Sequence, residues 1–169
     1  KRASSHLIAG ETEKAFPFAL TGLVLTEKVT PLNLDAMGDA LDVMGRIHSA
    51  LGQPALALRY FQNEIDISEI HFGVEHTSTA LALNNLAVTY GGLAEHEKAL
   101  PLQLRALSIW EKVMGPDHPD TATSLDNLAA TYREMAQYEK MLPLHQRALA
   151  IRDRVLGPEH PDTATSLDN

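Results

Sequence analysis

A chain of 169 residues with 44% hydrophobic residues is long enough to bury a core, and its wealth of Ala and Leu beside only 5% aromatics leans toward helix. A formal charge of −8 argues against a nucleic-acid footprint and an anionic membrane surface, and the lack of Cys excludes a disulfide framework, a thiolate metal site and a cysteine nucleophile. No apolar run approaches the ~18 residues of a membrane span and no signal peptide is evident, so a cytoplasmic setting is expected, and a first residue that is Lys rather than Met suggests a piece of a longer protein.

In chain order the sequence is a repeat. The string Thr121-Ala-Thr-Ser-Leu-Asp-Asn127 returns unchanged at 163–169, a period of 42 residues that runs through the chain without a gap. Residues 79–120 and 121–162 share 24 of 42 positions, whereas 37–78 and 79–120 share nine. The expected organisation is a partial repeat over 1–36, whole repeats over 37–78, 79–120 and 121–162, and the start of another over 163–169. Each period carries two helical patterns. The first holds Leu41, Met44, Gly45, His48 and Leu51, then Leu83, Leu86, Ala87, Tyr90 and Leu93, then Leu125, Leu128, Ala129, Tyr132 and Met135. Spacings of three and four place each set on one helix face. The second helix holds Ala99, Leu102, Ala106, Ile109 and Val113, then Met141, Leu144, Ala148, Ile151 and Val155, with Leu100, Leu107 and Met114 widening the stripe.

Between repeats lie Gly115-Pro116-Asp117-His118-Pro119-Asp120 and its copy at 157–162. Gly suits the left-handed residue that ends a helix, Pro119 and Pro161 suit the first turn of the next, and Asp120 and Asp162 favour its positive N-terminus. Pro101, Pro143 and Pro17 fall inside the second helix, where proline removes a backbone hydrogen bond at a cost of ~3 kcal/mol. Their recurrence at one slot predicts a tolerated bend near the helix start.

Leu-x-x-Leu-Ala-x-x-Tyr in the first helix, Lys-Ala-Leu-Pro-Leu-x-x-Arg-Ala-Leu in the second and Gly-Pro-Asp-His-Pro-Asp-Thr-Ala between them resemble tetratricopeptide repeats. More narrowly, they resemble the 42-residue type of kinesin light chains and of the arrays in some bacterial and fungal NTPase signalling proteins. Residues 75–169 match closely and residues 1–74 in skeleton. Met141 departs from a family Ala, Glu64 intrudes on an apolar row, and His48 replaces Tyr. The resemblance implies an all-α fold, a right-handed α-solenoid of antiparallel helix-turn-helix repeats, with first helices lining a concave groove and second helices on the convex side. It also implies a protein-interaction scaffold, not an enzyme.

The residues that the core does not use define the expected groove: Asp42, Arg46, Leu81, Asn84, Val88, Asp126 and Arg133. Asn85, Asn127 and Asn169 run beside them like the family's asparagine ladder, which clamps the backbone of an extended ligand. An amide offers both donors and an acceptor to a peptide group. The alternative is that these asparagines brace the neighbouring helix or face water. Leu81 and Val88, with Gly91 and Gly92 at the edge, predict a shallow pocket for one apolar anchor. Its acidic flanks differ from the basic groove of kinesin light chains, so cargo adaptation does not follow. Trp110 shares a slot with Thr26, Ser68 and Arg152, which predicts exposure on the convex face and an interface there. His76, His118 and His160 recur one per linker and read as structural. No metal, cofactor or catalytic motif is expected. The partner is expected to be a protein or peptide, with neither nucleic acid nor membrane. A second reading is a sensory or structural array of a larger NTPase-type protein, associating end to end through the ragged last copy.

Overall fold

The computed structural model describes residues 33–157, 160 and 163. Most of the first partial copy, Pro17 included, and the closing Leu167 and Asn169 lie outside the described residues. Six helices and no strand occur among the described residues: α1 (Leu34–Ala50), α2 (Pro54–His71), α3 (Thr77–Gly92), α4 (His96–Val113), α5 (Pro119–Glu134) and α6 (Tyr138–Leu156). The fold is all-α, built from helix-turn-helix repeats. Two compact units divide it, one ending at Thr89 and the other starting at Tyr90.

The linkers show why one spacing generates this pattern. Gly73, Gly115 and Gly157 take φ of 102°, 97° and 87°, the left-handed region that lets the chain leave a helix. Six residues later a threonine hydroxyl donates back to the carbonyl of that same glycine: Thr79 to Gly73, Thr121 to Gly115 and Thr163 to Gly157, each at 2.9 Å. The threonines are fully buried, so each bond satisfies a hydroxyl that water cannot reach. The linker histidines act as caps. Nδ1 of His76 accepts from the Ser78 N–H and Nδ1 of His118 from the Asp120 N–H, both at 3.2 Å, where helix α5 begins with Pro119. Pro101 and Pro143 each stand sixth in their helices, exposed, and both helices continue through them.

The tighter turn inside each repeat has a residue at positive φ: Gly52 at 68°, Ala94 at 58° and Ala136 at 56°. An L-residue in this region is disfavoured by about 1–2 kcal/mol, partly offset because glycine loses more backbone entropy on folding. Ala94→Gly and Ala136→Gly are therefore each expected to stabilise the protein by about 0.5–1 kcal/mol. Chemical denaturation checks this, and destabilisation by both would contradict the strain at these turns.

In the first unit the core draws Leu41, Met44 and Ile47 from α1, Phe61 and Ile65 from α2, and Leu83 and Leu86 from α3. In the second, Leu107 of α4, Leu125 and Leu128 of α5, and Ile151 of α6 are buried together, with Leu100, Tyr132 and Leu144 packed against them. The expected stripes hold except at their last turns. Leu51, Leu93, Val113, Met114 and Val155 are exposed, because each sits where its helix is ending and the chain turns away.

Candidate functional site

The expected groove residues fall into the two units. In the first, α1 and α3 bring Asp42, Arg46 and Asn85 into contact. Asn85 Nδ2 donates to Asp42 Oδ1 at 3.0 Å, and Arg46 Nη1 lies 3.5 Å from Asp42 Oδ2. Asn85 thus braces the preceding repeat's first helix, and that bond engages one of its two N–H groups. Burial pushes the Asp42 carboxyl above its ordinary range, while the Arg46 guanidinium and the Asn85 amide work against that shift.

Leu81 and Val88 are exposed, as expected, at 47% and 53%. They do not share one apolar pocket. Two helical turns separate them, roughly 10 Å along α3, and each belongs to its own cavity. Val88 borders a cavity of about 340 Å³ with Arg46, Phe61 and Asn85. Leu81 borders one of about 390 Å³ that is acidic: Asp35, Asp39 and Asp42 come from α1, Glu64 and Ser68 from α2.

Glu64 is the unusual member. In the next two repeats its slot holds Ala106 and Ala148, both fully buried, and here a carboxyl group occupies the same interior position at 5% exposure. Its Oε2 is sealed from water and accepts no hydrogen bond. Burial above all, then the charges of Asp42 and Asp39, push its pKa up to about 9 against the pull of Arg46. The register exposed this residue as an intruder in an apolar row. Only the fold gives it a cavity to face.

In the second unit the arrangement corrects two expectations. Asp126 is not presented for a partner: it accepts from His145 Nδ1 at 2.9 Å and from Arg152 Nη1, and all three side chains are at least four-fifths buried. The Trp110 slot is not a free convex face either. Ser68 and Arg152, which share it, are 3% and 8% exposed, and Trp110 itself is half-buried. The slot lies four residues after the buried Glu64, Ala106 and Ala148, on the same helix face. Asn84 and Asn127 are half-buried and both are engaged; the backbone carbonyl of Asn127 also accepts from Gln103 Nε2 at 3.1 Å. Arg133 is exposed, with Nε 3.4 Å from Glu134 Oε1.

No group of three or more His, Asp or Glu side chains is placed to hold a metal ion, and no helix is long and apolar enough to cross a membrane, both among the described residues.

Comparison with known families matches the tetratricopeptide repeat over residues 36–103, 78–140 and 121–162. The chain belongs to the tetratricopeptide repeat family. Its members are generally non-catalytic scaffolds for protein partners. No curated protein matches the sequence. Among solved structures, BtubC (BKLC) from P. vanneervenii superposes with a TM-score of 0.87 at 21% identity, over 98% of this chain and 66% of that one. A kinesin light chain-like protein with nearly identical TPR-like repeats from Podosopora anserina gives 0.79 at 22%, over 97% and 78%. Aspartyl phosphate phosphatase F from Bacillus subtilis gives 0.80 at 14%, over 90% and 39%. This tetratricopeptide array thus spans about two thirds of BtubC and well under half of the phosphatase, and at such identities the likeness is one of fold.

Proposed function

We propose that the chain is a non-catalytic, cytoplasmic scaffold that holds an extended peptide or partner segment in the groove lined by its first helices. It would use neither cofactor nor metal and bind neither nucleic acid nor membrane. The observation that carries this reading is the division of labour on α3. Leu83, Leu86 and Ala87 are consumed by the core, while Leu81 and Val88 stay exposed beside Arg46, Asp42 and Asn85. Two apolar side chains among polar groups that can address a backbone form a surface suited to a polypeptide. In the second unit, Asn127 and Arg133 are the side chains proposed to meet a partner. Asp126, tied to His145 and Arg152, would shape that surface without touching the ligand.

The test is titration of the 169-residue chain against an immobilised peptide library, followed by Asn85→Ala and Asn127→Ala. Loss of one peptide hydrogen bond is worth about 1 kcal/mol, so each variant is expected to bind the selected peptides about fivefold more weakly. Unchanged affinity in both variants would remove the asparagine contact from the proposal.

A further inference from the structure

The two units solve one electrostatic problem in opposite ways. In the 121–162 repeat, Asp126 projects from the first helix and the second helix answers it with the Arg152 guanidinium, over the small Ala148. Shifted back by two periods, these three slots are Asp42, Ser68 and Glu64. The aspartate is kept and a second carboxyl group is added where alanine stood, while the cation is replaced by a serine too short to reach either. A cavity of about 390 Å³ stands in this region, with Glu64 facing it and Glu64 Oε2 without a partner.

We infer that this cavity is a receptor for an arginine side chain supplied by a partner segment, whose guanidinium would take against Asp42 and Glu64 the place that Arg152 takes against Asp126. The planar fork of a guanidinium can address two carboxylates at once, which an ammonium cannot do as well. Leu81 and Phe72 on the wall offer apolar contact to its methylene stem. Internal cations do not already meet the demand. Arg46 sits on Asp42 at 3.5 Å with nearly half of its side chain in solvent, and His71 is engaged with Asp35 at 2.8 Å. From α3 only Ser78 and Leu81 line the cavity, and neither ionises. The inference rests on the partner-holding reading above and specifies the chemistry of one of its contacts.

The probe is the blocked pentapeptide Ala-Ala-Arg-Ala-Ala, with versions carrying citrulline or lysine at the centre, titrated into the 15N-labelled chain. The arginine peptide is expected to shift the amides around Asp42, Glu64 and Ser68 and to bind at least tenfold more tightly than the citrulline peptide, with lysine between them. Calorimetry near pH 7.5 in buffers of different ionisation enthalpy is expected to show release of about one proton, as the neutral Glu64 ionises against the incoming charge. Glu64→Gln is expected to weaken binding at least tenfold and to abolish the proton release. Ser68→Arg, which restores the arrangement of the last repeat, is expected to block the peptide from within. Equal binding of the arginine and citrulline peptides, or arginine binding that survives both substitutions, would overturn the inference. Arginine-selective binding that is indifferent to Asn85→Ala and Asn127→Ala would leave this receptor standing and refute only the backbone contact.

Discussion

Glu64→Gln is expected to raise the stability of the chain by about 3 kcal/mol at pH 7 and to leave it almost unchanged below pH 4.5. The carboxyl titrates at about 9 in the folded chain against an ordinary 4.5. Between those values the folded protein holds a proton that the unfolded chain has released, so stability falls as pH rises through that window. Each pH unit is worth about 1.4 kcal/mol, and 2.5 units separate 4.5 from 7, which gives about 3 kcal/mol. Glutamine has the shape of the neutral acid and does not ionise, so the parent's pH dependence is removed without opening a cavity. Urea denaturation of parent and variant between pH 4 and 9 reads the difference directly. Curves that stay parallel across that range would mean that Glu64 reaches water in the folded state. A residue that lowers stability at neutral pH and could be replaced by its neighbours' alanine is one that the fold does not require, which agrees with a role in binding.

The period of 42 made the helices, linkers and most of the core legible before any coordinate, because Leu, Ala and Gly at matched slots have few other uses. Glu64 was visible for the same reason, as a charge where two other repeats have alanine. The cavity beside it was not legible, since it depends on residues from three helices far apart in sequence. The pairing of Asp126 was not legible either, since the polar register mates of Arg152 point to an exposed slot, whereas Arg152 is buried against Asp126. Its spacing of four from Ala148 was the better signal, as a residue one turn from a buried alanine faces inward. Polarity describes what a side chain prefers, whereas spacing describes where it must point.

Gly45 and Phe61 present the same lesson with a second large effect. The slots of this pair hold Ala87 with Gln103 in the next repeat and Ala129 with His145 in the one after, so both positions change together in the 37–78 repeat. The reason is steric. A Cβ on Gly45 would stand 2.5 Å from one Phe61 ring carbon and 2.8 Å from two more, inside any tolerable contact, and the ring is 2% exposed with little room to withdraw. Gly45→Ala is therefore expected to destabilise the chain by about 1–3 kcal/mol, the usual range for overpacking, even though alanine is the better helix former by about 1 kcal/mol. Phe61→Leu alone should also be destabilising, because it empties part of the core. Combined, the two substitutions should cost at least 1 kcal/mol less than their sum, since each removes the conflict that the other creates. Thermal or urea denaturation of the four proteins in this cycle measures the coupling. Strict additivity would show that the ring swings aside at little cost, and that the exchange of glycine and phenylalanine for alanine and a polar residue in the later repeats is not a packing compensation.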